Sequence, residues 1–447
     1  MRFNLLISFL IIWFFRGLII EYGMGMSADS PASSDPALYK LIFEGLIIFM
    51  FISSLKKMYL NSYDFKILIV LGLYLLMSVA SAIFNDIEII NSIKYSRYLI
   101  YSFLLYLIIK TIPFTANRIQ LFIRTLSFLF VFQIIISIFN ILVYGPFESR
   151  IGSMLLMSGE LGTIFPLTAL AFAIPYYHLL SKKIYIIIIT WLFLLVGFST
   201  GKRAVLFVFP IFFILFNFIL YRLYKMSTKK QLKILVLISI VFLFASPLII
   251  FYLNNVYLGA GIFDSGNFAQ NNLQSALTFI YEYSFNFKGE GLTTGRLSTT
   301  FNLILSLFEI NNNSFLGYGP MILFSEETRG YGSGFTILNV LYGIVGWSRD
   351  YISIGFFSVI LMFIYYYLIY YRFMLFLKFK NNLSKELNFI MVSGLFSLYI
   401  VLFDYLFYSS VTFVSGIPIF LTTMCLGLTE NYIKNKHIIN ESFTPNK

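Results

Sequence analysis

Apolar stretches of membrane-spanning length, separated by short Lys/Arg clusters, constrain this chain more than any motif it carries. Runs longer than roughly 18 residues recur along its whole length, and each is a transmembrane helix candidate. Reading them against the basic clusters predicts spans over 3–20, 38–55, 65–84, 97–111, 121–144, 160–180, 184–199, 204–221, 234–253, 351–371, 387–405 and 411–429. Composition agrees: 59% of the 447 residues are hydrophobic and only 12% charged, against roughly 25% charged in an ordinary soluble domain. The expected fold class is therefore all-α, a polytopic integral membrane protein with about 12 transmembrane helices and one large extracytoplasmic loop. The first run follows Arg2 like a signal peptide but offers no convincing small-residue cleavage site, so it reads as a retained first helix.

Orientation follows from charge. Alternate loops hold 21 of the 32 basic residues, including Arg2, Lys110, Lys182, Lys183 and Arg372, and only Asp64, Glu386, Glu430 and Glu441 among 20 acids. Their balance is +17 against −5 for the remainder of the chain, so the positive-inside rule makes that side, with both termini, cytoplasmic. The net charge of +12 consists of these topology signals, which removes nucleic acid as a partner and leaves the lipid bilayer. The single cysteine, Cys425, cannot form an intramolecular disulfide.

Four regions result: a nine-helix membrane region over 1–253, an outer loop over 254–350, a three-helix membrane region over 351–429 and a tail over 430–447. The loop is rich in Gly, Asn, Ser and Thr, yet its aromatic residues argue against disorder. Within it, Leu297, Phe301, Ile304 and Phe308 make one stripe of an amphipathic helix over 297–310. The apolar run 335–346 is too short to span and reads as interfacial or re-entrant.

Cations on the outer side run against the positional bias. Arg150 follows the Gly145-Pro146 turn, Lys202 and Arg203 sit in the turn after the seventh span, and Arg296 opens the amphipathic helix behind Thr293, Thr294 and Gly295. Backbone N–H groups, hydroxyls and a guanidinium at such a helix start suit a phosphate. The competing reading is that these side chains snorkel to lipid phosphates or pair locally, as Arg150 with Glu148. Acids on this side are Glu160, Asp264, Glu282, Glu290, Glu309, Glu326, Glu327 and Asp350. Glu160, opening a span, is the one burial would tune toward general-base work, although an acid at a helix start is also favourable with the dipole. Asp404 lies within a span and is a weaker candidate. His178 and His437 both fall at cytoplasmic positions, so no outer metal site and no His-based chemistry is expected. A phosphate-binding Gly loop is absent too, which argues against ATP-driven transport.

Taken in order, Ser149-Arg150-Ile151-Gly152 with Glu160 downstream, Ser199-Thr200-Gly201-Lys202-Arg203, Thr294-Gly295-Arg296, Phe315-Leu316-Gly317-Tyr318-Gly319-Pro320 and Ile354-Gly355 resemble the O-antigen polymerase and ligase superfamily over roughly 145–370. The resemblance implies a membrane glycosyltransferase of the bacterial inner membrane, active on its periplasmic face. Such enzymes need no cofactor or metal and move sugars from undecaprenyl-diphosphate-linked oligosaccharide donors to acceptors. A flippase and a chain-length regulator are the partners it implies. Ligases carry a loop His before the next span; the stretch Gly330 to Asn339 has none, which favours a Wzy-type polymerase. The polymerases' Arg-x10-Gly pattern is not reproduced, since Leu161 stands where glycine is needed. On this reading Arg296, Arg203 and Lys202 hold the diphosphate, Arg150 holds the second lipid-linked unit and Glu160 is the base. Tyr281, Tyr283 and Tyr318 stack on sugars. The alternatives are the ligase and a flippase or exporter of the same lipid-linked sugars.

Overall fold

The structure, a computed structural model, describes residues 1–25, 36–144, 152–154, 161–199, 204–224, 315–320, 345–408 and 416–435. Every regular element among them is helical. In chain order these are α1 (Arg2–Phe14), α2 (Arg16–Leu18, continued by a π turn over Ile19–Gly23), α3 (Ala37–Ser54), α4 (Ser62–Phe84), α5 (Ile90–Lys110), α6 (Ala116–Tyr144), α7 (Leu161–Pro175), α8 (Ile184–Ser199), α9 (Ala204–Tyr224), α10 (Gly346–Ile354), α11 (Phe356–Leu377), α12 (Lys385–Phe407) and α13 (Ile417–Asn435). Six of these helical segments are long and apolar enough to cross a membrane, or seven if α1 and the bent segment after it form one span. The chain is a membrane-embedded helical protein. The expected span 234–253, the amphipathic helix 297–310 and most of the outer loop lie outside the described residues.

Helices α7 and α12 form the interior: 72% and 78% of their apolar windows are buried, against 28–39% for α3, α4, α6 and α11, which turn apolar side chains outward. Helix α13 is buried too, although Thr422, Thr423, Thr429, Glu430 and Asn431 make it polar. Its threonine hydroxyls donate to carbonyls one turn back, Thr422 to Pro418 at 2.8 Å and Thr429 to Cys425 at 2.8 Å, so the helix buries hydroxyls without stranding them.

The bundle has two poles. At one, Lys110 at the end of α5 lies 2.5 Å from Asp64 at the start of α4 and 3.0 Å from Glu430 on α13, and Arg372 of α11 reaches Glu430 at 3.3 Å. Tyr106 donates to both carboxylates, at 2.7 and 2.8 Å, and Asn61 to Glu430 at 2.7 Å. Arg2 joins this pole through Thr111, at 3.3 Å. Residues whose charges assign them to one side of the membrane thus meet at one end of the fold. Asp350 marks the second pole: it meets Tyr74 of α4, ten residues along from Asp64, and Tyr95 of α5, 15 residues before Lys110, which is about 15–22 Å of helix rise.

Three helices differ from the sequence expectation. The first run bends by 73° between α1 and the segment Arg16–Gly23. The tenth breaks at Gly355 into α10 and a longer α11. The fourth begins at Ile90, seven residues early, because its first two turns are polar: Ser92 is buried and donates to Ser78 at 3.0 Å, a bond invisible to hydropathy.

Candidate functional site at the Asp350 pole

Both helix breaks lie at this pole, and both are filled by segments that carry the sequence motifs. At the first, the chain just after Arg150 inserts into the gap at Phe15. Gly17 and Leu18 donate their freed N–H groups to the Ser153 carbonyl, at 3.0 and 3.3 Å. The Ser153 hydroxyl donates to the Phe14 carbonyl at 2.7 Å, and Arg16 to the Met154 carbonyl at 3.3 Å. Irregular backbone at membrane depth is tolerable only where protein supplies such partners. Gln133 of α6 holds the segment in turn, donating to Ser153 Oγ at 2.7 Å and accepting its backbone N–H at 2.8 Å. Gly152 is obligatory, since its φ is +53° and an added Cβ would overlap the Gln133 side chain.

At the second break, Phe315–Pro320 packs against Ile354-Gly355. The backbone N–H groups of Tyr318 and Gly319 donate to the Ile352 and Ser353 carbonyls at 2.7 and 3.0 Å. Asn85 donates to the Gly317 carbonyl at 3.1 Å, and Ser81 to that of Ser353 at 2.9 Å. Gly355 has φ +96°, and a Cβ there would run into the Phe315 carbonyl oxygen, so the break exists only with glycine. The two motifs that the resemblance takes as separate words are therefore one contact.

Asp350 anchors α10 beneath this contact. Its Oδ1 accepts from Tyr74 at 2.8 Å and Tyr95 at 2.9 Å, and its Oδ2 from Tyr405 at 2.9 Å. Asp350 lies outside the candidate spans and is fully buried. Burial pushes its carboxyl up to about 7, against the downward pull of the three tyrosine hydroxyls. With its oxygens committed to tyrosines from α4, α5 and α12, it positions rather than reacts.

Of the residues expected to do chemistry, Arg150, Glu160, Lys202, Arg203, Tyr281, Tyr283 and Arg296 lie outside the described residues. Tyr318 is described: it is half-buried, and its backbone is pinned to α10. The chain flanking Glu160 meets the chain flanking Lys202 and Arg203. A Cβ built on Gly197 of α8 would stand 2.8 Å from the Gly162 carbonyl of α7 and 2.7 Å from Val205 of α9. Tyr408, just beyond α12, closes the same corner through Thr163 at 2.7 Å.

The structure adds cations that the sequence reading passed over. Arg16, only 4% exposed, stands in electrostatic reach of Lys40 on α3, as do Lys94 and Arg97 on α5 and the one neighbouring acid on α3, Glu44. Arg97 reaches Glu44 at 3.9 Å and lies 4.8 Å over the Tyr98 ring. Arg16 and Lys40 stand inside apolar runs, and Lys94 and Arg97 lie in the first two turns of α5. A cavity of about 330 Å³ opens beside the first break, lined by Glu21, Tyr22, Asn140 and Gly152. Glu21 adds an acid to the candidate bases on this side. No group of three or more His, Cys, Asp or Glu able to hold a metal occurs among the described residues.

Compared with known proteins, the chain matches no protein-family model and no curated protein.

Proposed function

We propose that this protein is a polymerase that joins undecaprenyl-diphosphate-linked oligosaccharide repeat units into a surface polysaccharide of the O-antigen type. It would have twelve spans, cytoplasmic termini and its site on the periplasmic face of the inner membrane. The observation that carries the reading is the convergence at Gly197, which joins the stubs of chain flanking Glu160 to those flanking Lys202 and Arg203. A base and a pair of cations on adjoining stubs suit a transfer in which an acceptor hydroxyl is deprotonated while a diphosphate leaves. Arg16, Lys40, Lys94 and Arg97 add positive charge at the same pole, and Gly152–Met154 fixes the chain two residues after Arg150. Arg296, Arg203 and Lys202 hold the leaving diphosphate, Arg150 the second lipid-linked unit, and Tyr281, Tyr283 and Tyr318 the sugars.

The test is the banding of surface polysaccharide on a gel from the native host with and without the gene. Collapse of the ladder to core plus one repeat supports the polymerase. Loss of every repeat from the core, with lipid-linked polymer building up, means a ligase, and an unchanged ladder removes the reading. Arg296→Ala should slow chain growth by at least about tenfold with the protein still inserted, by analogy with loss of one charge-stabilising donor. One observation favours a second reading: broken helices such as the 73° bend after α1 are also how transporters build sites. If the protein is a flippase, loss of the gene makes repeats vanish while single lipid-linked units accumulate on the cytoplasmic face.

A further inference from the structure

A second feature lies at the Lys110 pole and is independent of the proposed activity. Between α6, α7 and α8, with Phe389 of α12 as its floor, runs an apolar cleft of about 170 Å³. Ala169 and Ala173, one turn apart on α7, recess its wall between Phe130 of α6 and Phe193 of α8. It opens beside Tyr185, which is 51% exposed, on a surface where Phe128 and Ile188 also face outward. These belong to the apolar exterior of a membrane-embedded bundle, so the cleft opens toward lipid.

The end of the cleft nearest the pole is basic. Arg124 stands one turn before the lining residue Ser127 on α6, so the two share a face. Lys182 and Lys183 lead into α8, and the Lys183 ammonium lies 5.8 Å from the ring centroid of Tyr185 at the mouth. All three cations are exposed. The acid nearest in sequence to the floor residue Phe389 is Glu386, and Lys385 adjoins it, so the rim stays positive. An apolar slot with cations flanking one end is complementary to one molecule with an alkyl tail and an anionic head. Basic pockets between transmembrane helices bind acidic lipid head groups on the same principle.

We infer that this cleft is a binding site for one anionic glycerophospholipid, with an acyl chain between Ala169, Ala173 and Phe193 and the phosphate on Arg124, Lys182 and Lys183. The test uses the full chain purified into bilayer discs holding equal amounts of phosphatidylglycerol and phosphatidylethanolamine with identical chains, followed by native mass spectrometry of retained lipid. Phosphatidylglycerol adducts should exceed phosphatidylethanolamine adducts by about tenfold or more, the scale set by three cations near a lipid surface. The triple variant Arg124→Gln, Lys182→Gln, Lys183→Gln changes only exposed side chains, and it should bring the two lipids to parity while retention of some lipid persists. Ala173→Phe fills the slot and should remove the retained lipid of either kind. Equal retention of both lipids by the unaltered protein overturns the inference, as does a head-group preference that survives the triple variant.

Discussion

Lys110→Met is the perturbation with the largest expected consequence at the buried ionic pole. The side chains of Lys110, Asp64 and Glu430 are 1%, 0% and 2% exposed, so solvent screens none of them. With Arg372 the charges of this hydrogen-bonded cluster balance, and the exposed Lys434 lies in electrostatic reach of Lys110 and Glu430. Asp64 already spends Oδ2 on Lys110 and on the Asn61 backbone N–H at 2.9 Å, and Oδ1 on Tyr106. Methionine keeps the volume over the Tyr59 and Tyr106 rings but leaves two buried carboxylates to the Arg372 guanidinium and the exposed Lys434. Breaking a buried pair by removing one partner costs about 3–5 kcal/mol, because the remaining ion stays desolvated. That is a loss of roughly two to three and a half powers of ten in the ratio of folded to unfolded protein. Thermal unfolding in detergent, followed by intrinsic fluorescence or by monodispersity on a sizing column, should show Tm lower by roughly 5 °C or more. Adding Asp64→Asn restores neutrality, keeps an oxygen for Tyr106 and should recover at least about half of the loss. A single variant as stable as the parent, or a double variant worse than the single one, would refute the reasoning that charge balance governs this pole.

Other outcomes follow from the two breaks and from Asp350. Gly355→Ala puts a Cβ into the Phe315 carbonyl at a positive φ; with ψ at −178° this is an essentially glycine-only region, and a non-glycine there costs about 1–3 kcal/mol before any displacement. Proteolysis within 315–320 should therefore accelerate, and unchanged cleavage would show that the segment is not held there. Gln133→Leu leaves the Ser153 N–H without its acceptor in a buried setting; about 1–3 kcal/mol of stability should be lost, read as a lower Tm that Gln133→Glu partly restores. For Asp350, the folded chain holds the proton more tightly than the unfolded one. Its contribution is full below the ordinary value of 3.8 and is lost as pH rises through about 7. Asp350→Asn cannot titrate, so between about pH 5 and about pH 8 its Tm should fall less than that of the parent; parallel slopes would mean that the carboxyl does not titrate there.

The sequence alone determined the class of the molecule and much of its axial layout. Apolar run length is a local property fixed by the thickness of hydrocarbon a helix must cross, so α3, α4, α6, α7 and α12 were legible within about five residues. Loop charge is legible for the same reason, and the residues it grouped on one side, Asp64, Lys110, Arg372 and Glu430, do meet. Tertiary structure decided everything that depends on which helix faces which. Helix α13 is interior although its polar residues lower its hydropathy, because the helices around it take the place of lipid. The breaks at Phe15 and Gly355 could not be read from the runs they interrupt, since the groups that satisfy their backbone, Ser153 and Tyr318, stand 138 and 37 positions further along or back. Glycine at 355 was visible as a motif letter, but its reason, a carbonyl of Phe315 pressed against the place of its missing Cβ, belongs to the packed bundle. Arg16 and Lys40 likewise stand within apolar runs, and only the folding of α3 and α5 around the bent first helix gathers them with Lys94 and Arg97 into one cluster around Glu44.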